Sequence, residues 1–183
     1  MEKKLYKFIF IVVGAILGLA MLFPAEKKIY NLENISFDAQ QSTTLFFKNT
    51  RAFYYGLEEM PEAGFNIYRY SKTIKSDNGL FLNFIIVHNW RANEVYIVTE
   101  PSSALLAIGQ VEMNIGDSIF LFDKNAMNNN AQYEFAANIF LALLNNEPIK
   151  FAETNTSIWG TEENQSANLT VLKDYFRWIY KYR

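Results

Sequence analysis

The apolar run from Leu5 to Phe23, LYKFIFIVVGAILGLAMLF, constrains this chain more than any other feature, because 16 of its 19 residues are apolar. As a helix it rises about 28 Å, close to the hydrocarbon thickness of a bilayer. A terminal helix that is apolar on every side needs either lipid or complete wrapping by protein. Residues 5–23 therefore read as a single-pass transmembrane signal-anchor, and the lipid bilayer as its first partner. Lys7 lies in the first turn, where its stem can carry the ammonium back to the headgroups. Lys3, Lys4 and Lys7 outnumber Lys27 and Lys28 on the far side. That asymmetry places residues 1–4 in the cytoplasm and the rest of the chain outside. The alternative is a secretory signal cut near Ala20, at the small-x-small triplet Gly18-Leu19-Ala20, which would leave a secreted or periplasmic domain. Gly14 and Gly18 are four residues apart, a spacing that lets a second membrane helix approach closely.

The anchor also hides the charge of the domain behind it. The formal net charge is −2, but residues 1–28 hold five Lys against two Glu. Residues 29–172 stand at −8, and 173–183 hold Lys173, Arg177, Lys181 and Arg183 against Asp174. An acidic body argues against nucleic acid as a partner, since phosphate neutralisation needs a concentrated basic surface. At the C-terminus a helix over 166–182, capped by Ser166, would place Lys173, Arg177 and Lys181 on one stripe. Val171, Leu172, Tyr175, Trp178 and Ile179 would face the other way. Such a stripe suits either solvent or an anionic membrane surface.

Residues 24–41 are polar and suit a juxtamembrane linker, leaving 42–183 as one extracytoplasmic domain. Phe46, Phe53, Leu57 and Met60 fall at helical spacing, and Pro61 would end a helix running from about Thr43 to Glu59. Phe65 to Lys72 reads as a short aromatic strand. Leu80 to Val87 is nearly continuous and apolar, as in a strand buried on both faces. Asn89 to Asn93 makes a loop into a strand over 94–99, giving an antiparallel hairpin. Strands at 105–113 and 118–122 flank the turn Asn114-Ile115-Gly116-Asp117. Ala131 to Asn145 is a helix, with Asn129 or Asn130 as its cap, and Pro148 to Phe151 a short returning strand. Thr154 to Gln165 is polar and loop-like. The sum predicts an α+β domain, a mainly antiparallel sheet covered by about three helices. A three-layer α/β fold is the alternative, because a helix over 43–60 leading into a strand could belong to a wound sheet.

Side chains that could carry chemistry are sparse. The chain has no Cys, which removes thiolate nucleophiles, disulfides and thiolate metal sites. His88 is the single His, so two-His metal motifs are excluded. As a general base it would need a nucleophile and an orienting acid, which could come from anywhere in the chain, for instance Ser102 and Glu94 across the hairpin. Asp123 to Glu134 follows a calcium loop at positions one, three and twelve only. Met127 and Asn128 stand where a ligand and the turn Gly belong. Glu58-Glu59 and Glu162-Glu163 are adjacent pairs that do not face one another. No phosphate-cradling glycine motif occurs. Neither cofactor nor metal is expected. The sequons at Asn34, Asn155, Asn164 and Asn168 matter only in a eukaryotic secretory pathway. Trp90-Arg91 at a hairpin tip pairs the two residue types that most often anchor protein interfaces, and so marks a partner-binding loop.

These features favour a non-enzymatic, membrane-tethered binding or assembly module, an accessory of a membrane or envelope complex, whose partners are other membrane or envelope proteins. Two alternatives come from other classes. One is an anchored or secreted hydrolase using His88, the other a lipid-surface protein using Lys173, Arg177 and Lys181.

Overall fold

The computed structural model describes residues 6, 7, 9, 10, 12–14, 28–75, 79–116, 118–123 and 125–183. Its body is α+β, with a four-stranded sheet and a three-stranded sheet, both wholly antiparallel. The three-layer α/β alternative is thereby corrected.

The first sheet is a meander. Strands β1 (Tyr55–Met60), β2 (Phe65–Tyr70), β3 (Leu82–Asn89) and β4 (Glu94–Pro101) lie side by side in chain order. Leu82, Phe84, Ile86 and His88 form the inner row of β3, opposite Pro101, Thr99, Ile97 and Val95 of β4. Alternation along a strand sends the intervening residues to the other face. The second sheet takes the order β6-β5-β7, from Gln110–Ile115 (β5), Ser118–Asp123 (β6) and Ile149–Phe151 (β7). Gly116, at φ 56°, supplies the left-handed residue that the tight β5–β6 turn needs.

Short helices α1 (Gln41–Phe46) and α2 (Ser103–Ile108) precede the two long ones, α3 (Asn129–Leu144) and α4 (Glu162–Trp178). Both long helices cover the inner face of the first sheet. Trp178 of α4 meets His88 at 5.0 Å between ring centroids, and Phe135 of α3 lies 6.0 Å from Phe84. Phe135 also stacks on Phe120 of β6, so α3 is shared by both sheets. Ile158 ties the sheets edge to edge: its carbonyl accepts from Leu82 N at 2.9 Å and its N–H bonds to Ile149.

Several local expectations are revised. The helix over 43–60 gives way after α1 to a π turn (Phe47–Arg51), a 3-10 turn (Ala52–Tyr54) and then β1. The helical stripe is misleading: Phe46, Phe53, Leu57 and Met60 are all exposed, while Phe47, outside it, is buried against Trp178 at 3.9 Å. Leu105 to Ile108 belong to a helix, not a strand, because Ser102 caps Leu105 N and Gly109 turns the chain at φ 83°. Asn128, not Asn129 or Asn130, caps α3. Helix α4 starts four residues before Ser166, with Thr161 accepting from Asn164 N at 3.1 Å and Glu162 and Glu163 in the favourable first turn. It also stops earlier, at Trp178. Tyr180 takes φ 60° and Lys181 N bonds Phe176 O, a Schellman reversal that swings the last residues away.

That reversal joins the two ends of the described body. Lys28 and Arg183 exchange backbone hydrogen bonds of 3.2 and 2.9 Å, and Tyr30 stacks on Tyr180.

Among the described residues no helix is long and apolar enough to cross a membrane. Most of the expected span 5–23 lies outside them. Tyr6, Lys7, Ile9, Phe10, Val12, Val13 and Gly14 are helical, whereas Gly18 and the cleavage-site residues up to Ala20 are outside the described residues.

Candidate functional site

Two hairpin tips meet at one end of the first sheet. The β3–β4 turn carries Trp90 and Arg91, and Asn89 holds it by accepting the N–H groups of Arg91 and Ala92. Arg91 lies over its own Trp90 ring at 5.2 Å and donates to Pro61 O at 3.0 Å in the β1–β2 turn. Trp90 N bonds Gly64 O. Gly64 is at φ 80°, and a Cβ there would fall 2.6 Å from the Arg91 side chain. The tips are thus clasped by a packed cation over glycine, with Trp90 left 46% exposed.

From this clasp the outer face of the sheet runs to a second polar group. Phe65, Ile67, Val87 and Val98 lie half-buried on it, opposite the face that α3 and α4 cover. At its far end Arg69 bridges two strands' carboxylates, with Nε to Glu100 at 2.8 Å and Nη1 to Glu58 at 2.6 Å. These three charges border a cleft of about 470 Å³, which Thr73, Lys75 and Ser102 also line. The cleft exists because β2 pairs with β3 only from Phe65 to Tyr68, opposite Asn89 to Ile86.

Where β2 stops, asparagines of α4 take its place. Asn168 Oδ1 accepts from Phe84 N at 2.7 Å, and its amide donates to Asn83 and to Asn164 O. Asn164 accepts from Ile74 N at 3.0 Å and donates to Trp159 O. Both asparagines are fully buried, so two of the four sequons sit inside the fold.

The other candidates fall elsewhere. His88 is 2% exposed, and its Nδ1 has no hydrogen-bond partner among the described residues. Burial, with a smaller push from Lys48, lowers its pKa to about 4. Ser102 follows Pro101, which pairs with the opposite end of β3, about 20 Å away at 3.3 Å per residue. Its hydroxyl caps α2, and Glu94 accepts from Tyr96. The three side chains that the alternative hydrolase reading would need are therefore not assembled. Asp123 is spent on Gln110 and Asn125 N, and no group of His, Asp or Glu able to hold a metal occurs among the described residues.

The basic stripe is split. Arg177, half-buried on α4, lies over the rings of Phe46 and Tyr182 at 5.4 and 5.7 Å. Lys173 shares the helix, but Lys181 follows the reversal and leaves it. Asp174, read from sequence only as part of the C-terminal charge, is buried with both oxygens 2.9 Å from Arg51 Nε and one 2.8 Å from Tyr55 OH. Burial pushes its carboxyl up against the opposing pull of those two partners. No sequence signal marks that pairing, since its members are more than a hundred residues apart.

Fold and surface define a class and no more: a compact α+β domain with an apolar sheet face framed by charge. No protein-family model, curated protein or solved structure matches the chain.

Proposed function

We propose that the protein is a membrane-tethered, non-enzymatic binding or assembly module that meets other membrane or envelope proteins through the outer face of its first sheet. The observation that carries this reading is the exposure of the described apolar side chains among the N-terminal helical residues. Phe10 is 83% exposed, and Tyr6, Ile9, Val12 and Val13 are exposed with it. Apolar helical surface of that extent is costly in water and suits lipid. Gly14 is equally open, a Cβ there meeting nothing within 4 Å, as a helix-association face requires.

The joined ends support the same arrangement. Lys28 is five residues beyond Phe23, so at most about 17 Å of chain separates it from the end of the apolar run. Lys28, Lys181, Arg183 and the Tyr30–Tyr180 stack then lie nearest the headgroups, where cations and tyrosines are favoured. The outer sheet face, from the Trp90–Arg91 clasp to Arg69, offers a partner half-buried apolar residues between polar ends, the pattern of an interface core with its rim.

The test is the mass of the full chain solubilised from membranes in mild detergent. Assembly with other proteins gives a particle larger than two copies of the 21.2 kDa chain, and Ile67→Lys shrinks it. A particle of one or two copies, unchanged by Ile67→Lys, overturns the reading.

A further inference from the structure

We infer that strand β6 is a self-association edge, pairing antiparallel with β6 of a second copy to make one continuous six-stranded sheet. β6 is the outer strand of the order β6-β5-β7 and pairs only with β5 among the described residues. Such edges usually carry Lys, Pro or a bulge that blocks further pairing. Ser118 to Phe122 has none of these, and the one charge in the strand is Asp123 at its very end. Instead Ile119 is 72% exposed and Leu121 56%, while Phe120 and Phe122 pack inward on Phe135.

The hairpin fixes which backbone groups are free. Ile115 and Ser118 close a two-residue turn, and such a closing pair exchanges both its hydrogen bonds. By alternation Ser118, Phe120 and Phe122 bond into β5, and Ile119 and Leu121 turn their N–H and C=O groups outward.

A second copy fits this edge because the strand complements itself. With Phe120 on a two-fold axis, Ile119 lies opposite Leu121 of the second copy and Leu121 opposite its Ile119. Those are the outward-bonding residues, so the register forms four backbone hydrogen bonds. It also covers exposed apolar side chains with one another and buries no charge between 118 and 122, with Asp123 of each copy falling opposite Asp117 of the other only at the ends of the paired segment. A shift by one residue would set outward-bonding against inward-bonding positions and lose the bonds. The cleft of about 270 Å³ beside Ile119, lined by Leu141 and Ala142 together with Asn138, Asn145 and Glu147, leaves room at the seam. Pairing through β6 does not depend on the tether, which would only raise the local concentration of copies.

Because the chain has no Cys, disulfide trapping reads the register directly. Full-length chains carrying Ile119→Cys and Leu121→Cys are co-expressed and oxidised, in membranes or, if the chain proves to be soluble, in solution. Paired residues in this register stand about 5.5 Å apart at Cα, inside the disulfide range. The expected result is a dimer of the mixed pair at least about five-fold more abundant than from either variant alone. Thermal melts of the single-Cys chains confirm folding, since both positions are exposed. No trapped dimer, or equal trapping in all three combinations, overturns the pairing, whereas the tether stands or falls on membrane extraction.

Discussion

Asn168 on helix α4 holds the backbone of Phe84 on strand β3, its side-chain oxygen accepting the Phe84 N–H at 2.7 Å inside the core. A helix side chain thereby does the work of a missing strand. Its amide also donates to Asn83, which lines the cleft.

Asn168→Ala leaves Phe84 N–H and part of Asn83 buried without a partner. An unsatisfied buried donor costs about 1–3 kcal/mol, and losing three bonds together is expected to lower unfolding stability by about 3 kcal/mol. Chemical denaturation of the variant measures it. A loss below about 1 kcal/mol would mean that water or a strand shift replaces Asn168.

The buried His88 makes stability fall on the acid side. Its folded pKa of about 4 is below the unfolded value of about 6.5. Between those values the unfolded chain takes up a proton that the folded one refuses, so stability drops as pH falls from about 6.5 to 4. The expected loss from pH 7 to pH 5 is about 1–2 kcal/mol. His88→Phe keeps a ring against Trp178 and removes the titration. Denaturation at the two pH values should show a shallower loss in that variant, and an identical slope would discount His88.

At the clasp, Gly64→Ala adds a Cβ 2.6 Å from Arg91 at a left-handed φ. The backbone penalty is about 1 kcal/mol, and Arg91 must leave Pro61 O. Trp90 fluorescence is too diluted by Trp159 and Trp178 to report this alone. The amide shifts of Trp90 and Pro61's neighbours in NMR spectra should move, and spectra unchanged outside residue 64 would refute the clasp.

Asp174→Ala strands Arg51, which is a quarter exposed, and the Tyr55 hydroxyl, which is buried. Removing one member of a buried pair costs about 3–5 kcal/mol, less where the survivor reaches water. A loss of about 3 kcal/mol is expected for Asp174→Ala and about 1 kcal/mol for Tyr55→Phe. Equal losses in a thermal or urea titration would contradict the assignment of Arg51 as the main partner.

What can be read from sequence follows physical locality. The run from Leu80 to Val87 is visible as a buried strand because all of it but Asn83 is apolar, and helix α3 because its stripe and its asparagine caps are local. Helix α2 is hidden although Ser102 is a cap, since Leu105 and Ile108 also suit a strand. The stretch from Phe46 to Met60 misleads because exposed apolar residues happen to fall at helical spacing. Trp90-Arg91 is legible as a tip, but its engagement with Pro61 and Gly64 is not. Arg69 with Glu58 and Glu100, Arg51 with Asp174, and Asn168 with Phe84 each join distant segments, so only the fold brings them together. Asn164 and Asn168 stand out in the sequence as sequons, a pattern unrelated to their structural work.

The membrane tether is tested most directly by alkaline carbonate extraction of membranes from cells making the full chain. The chain is expected to stay in the membrane pellet, and Phe10→Lys with Val13→Lys to release it by placing two charges in the apolar run. Quantitative release of the unaltered chain into the carbonate supernatant would contradict the tether.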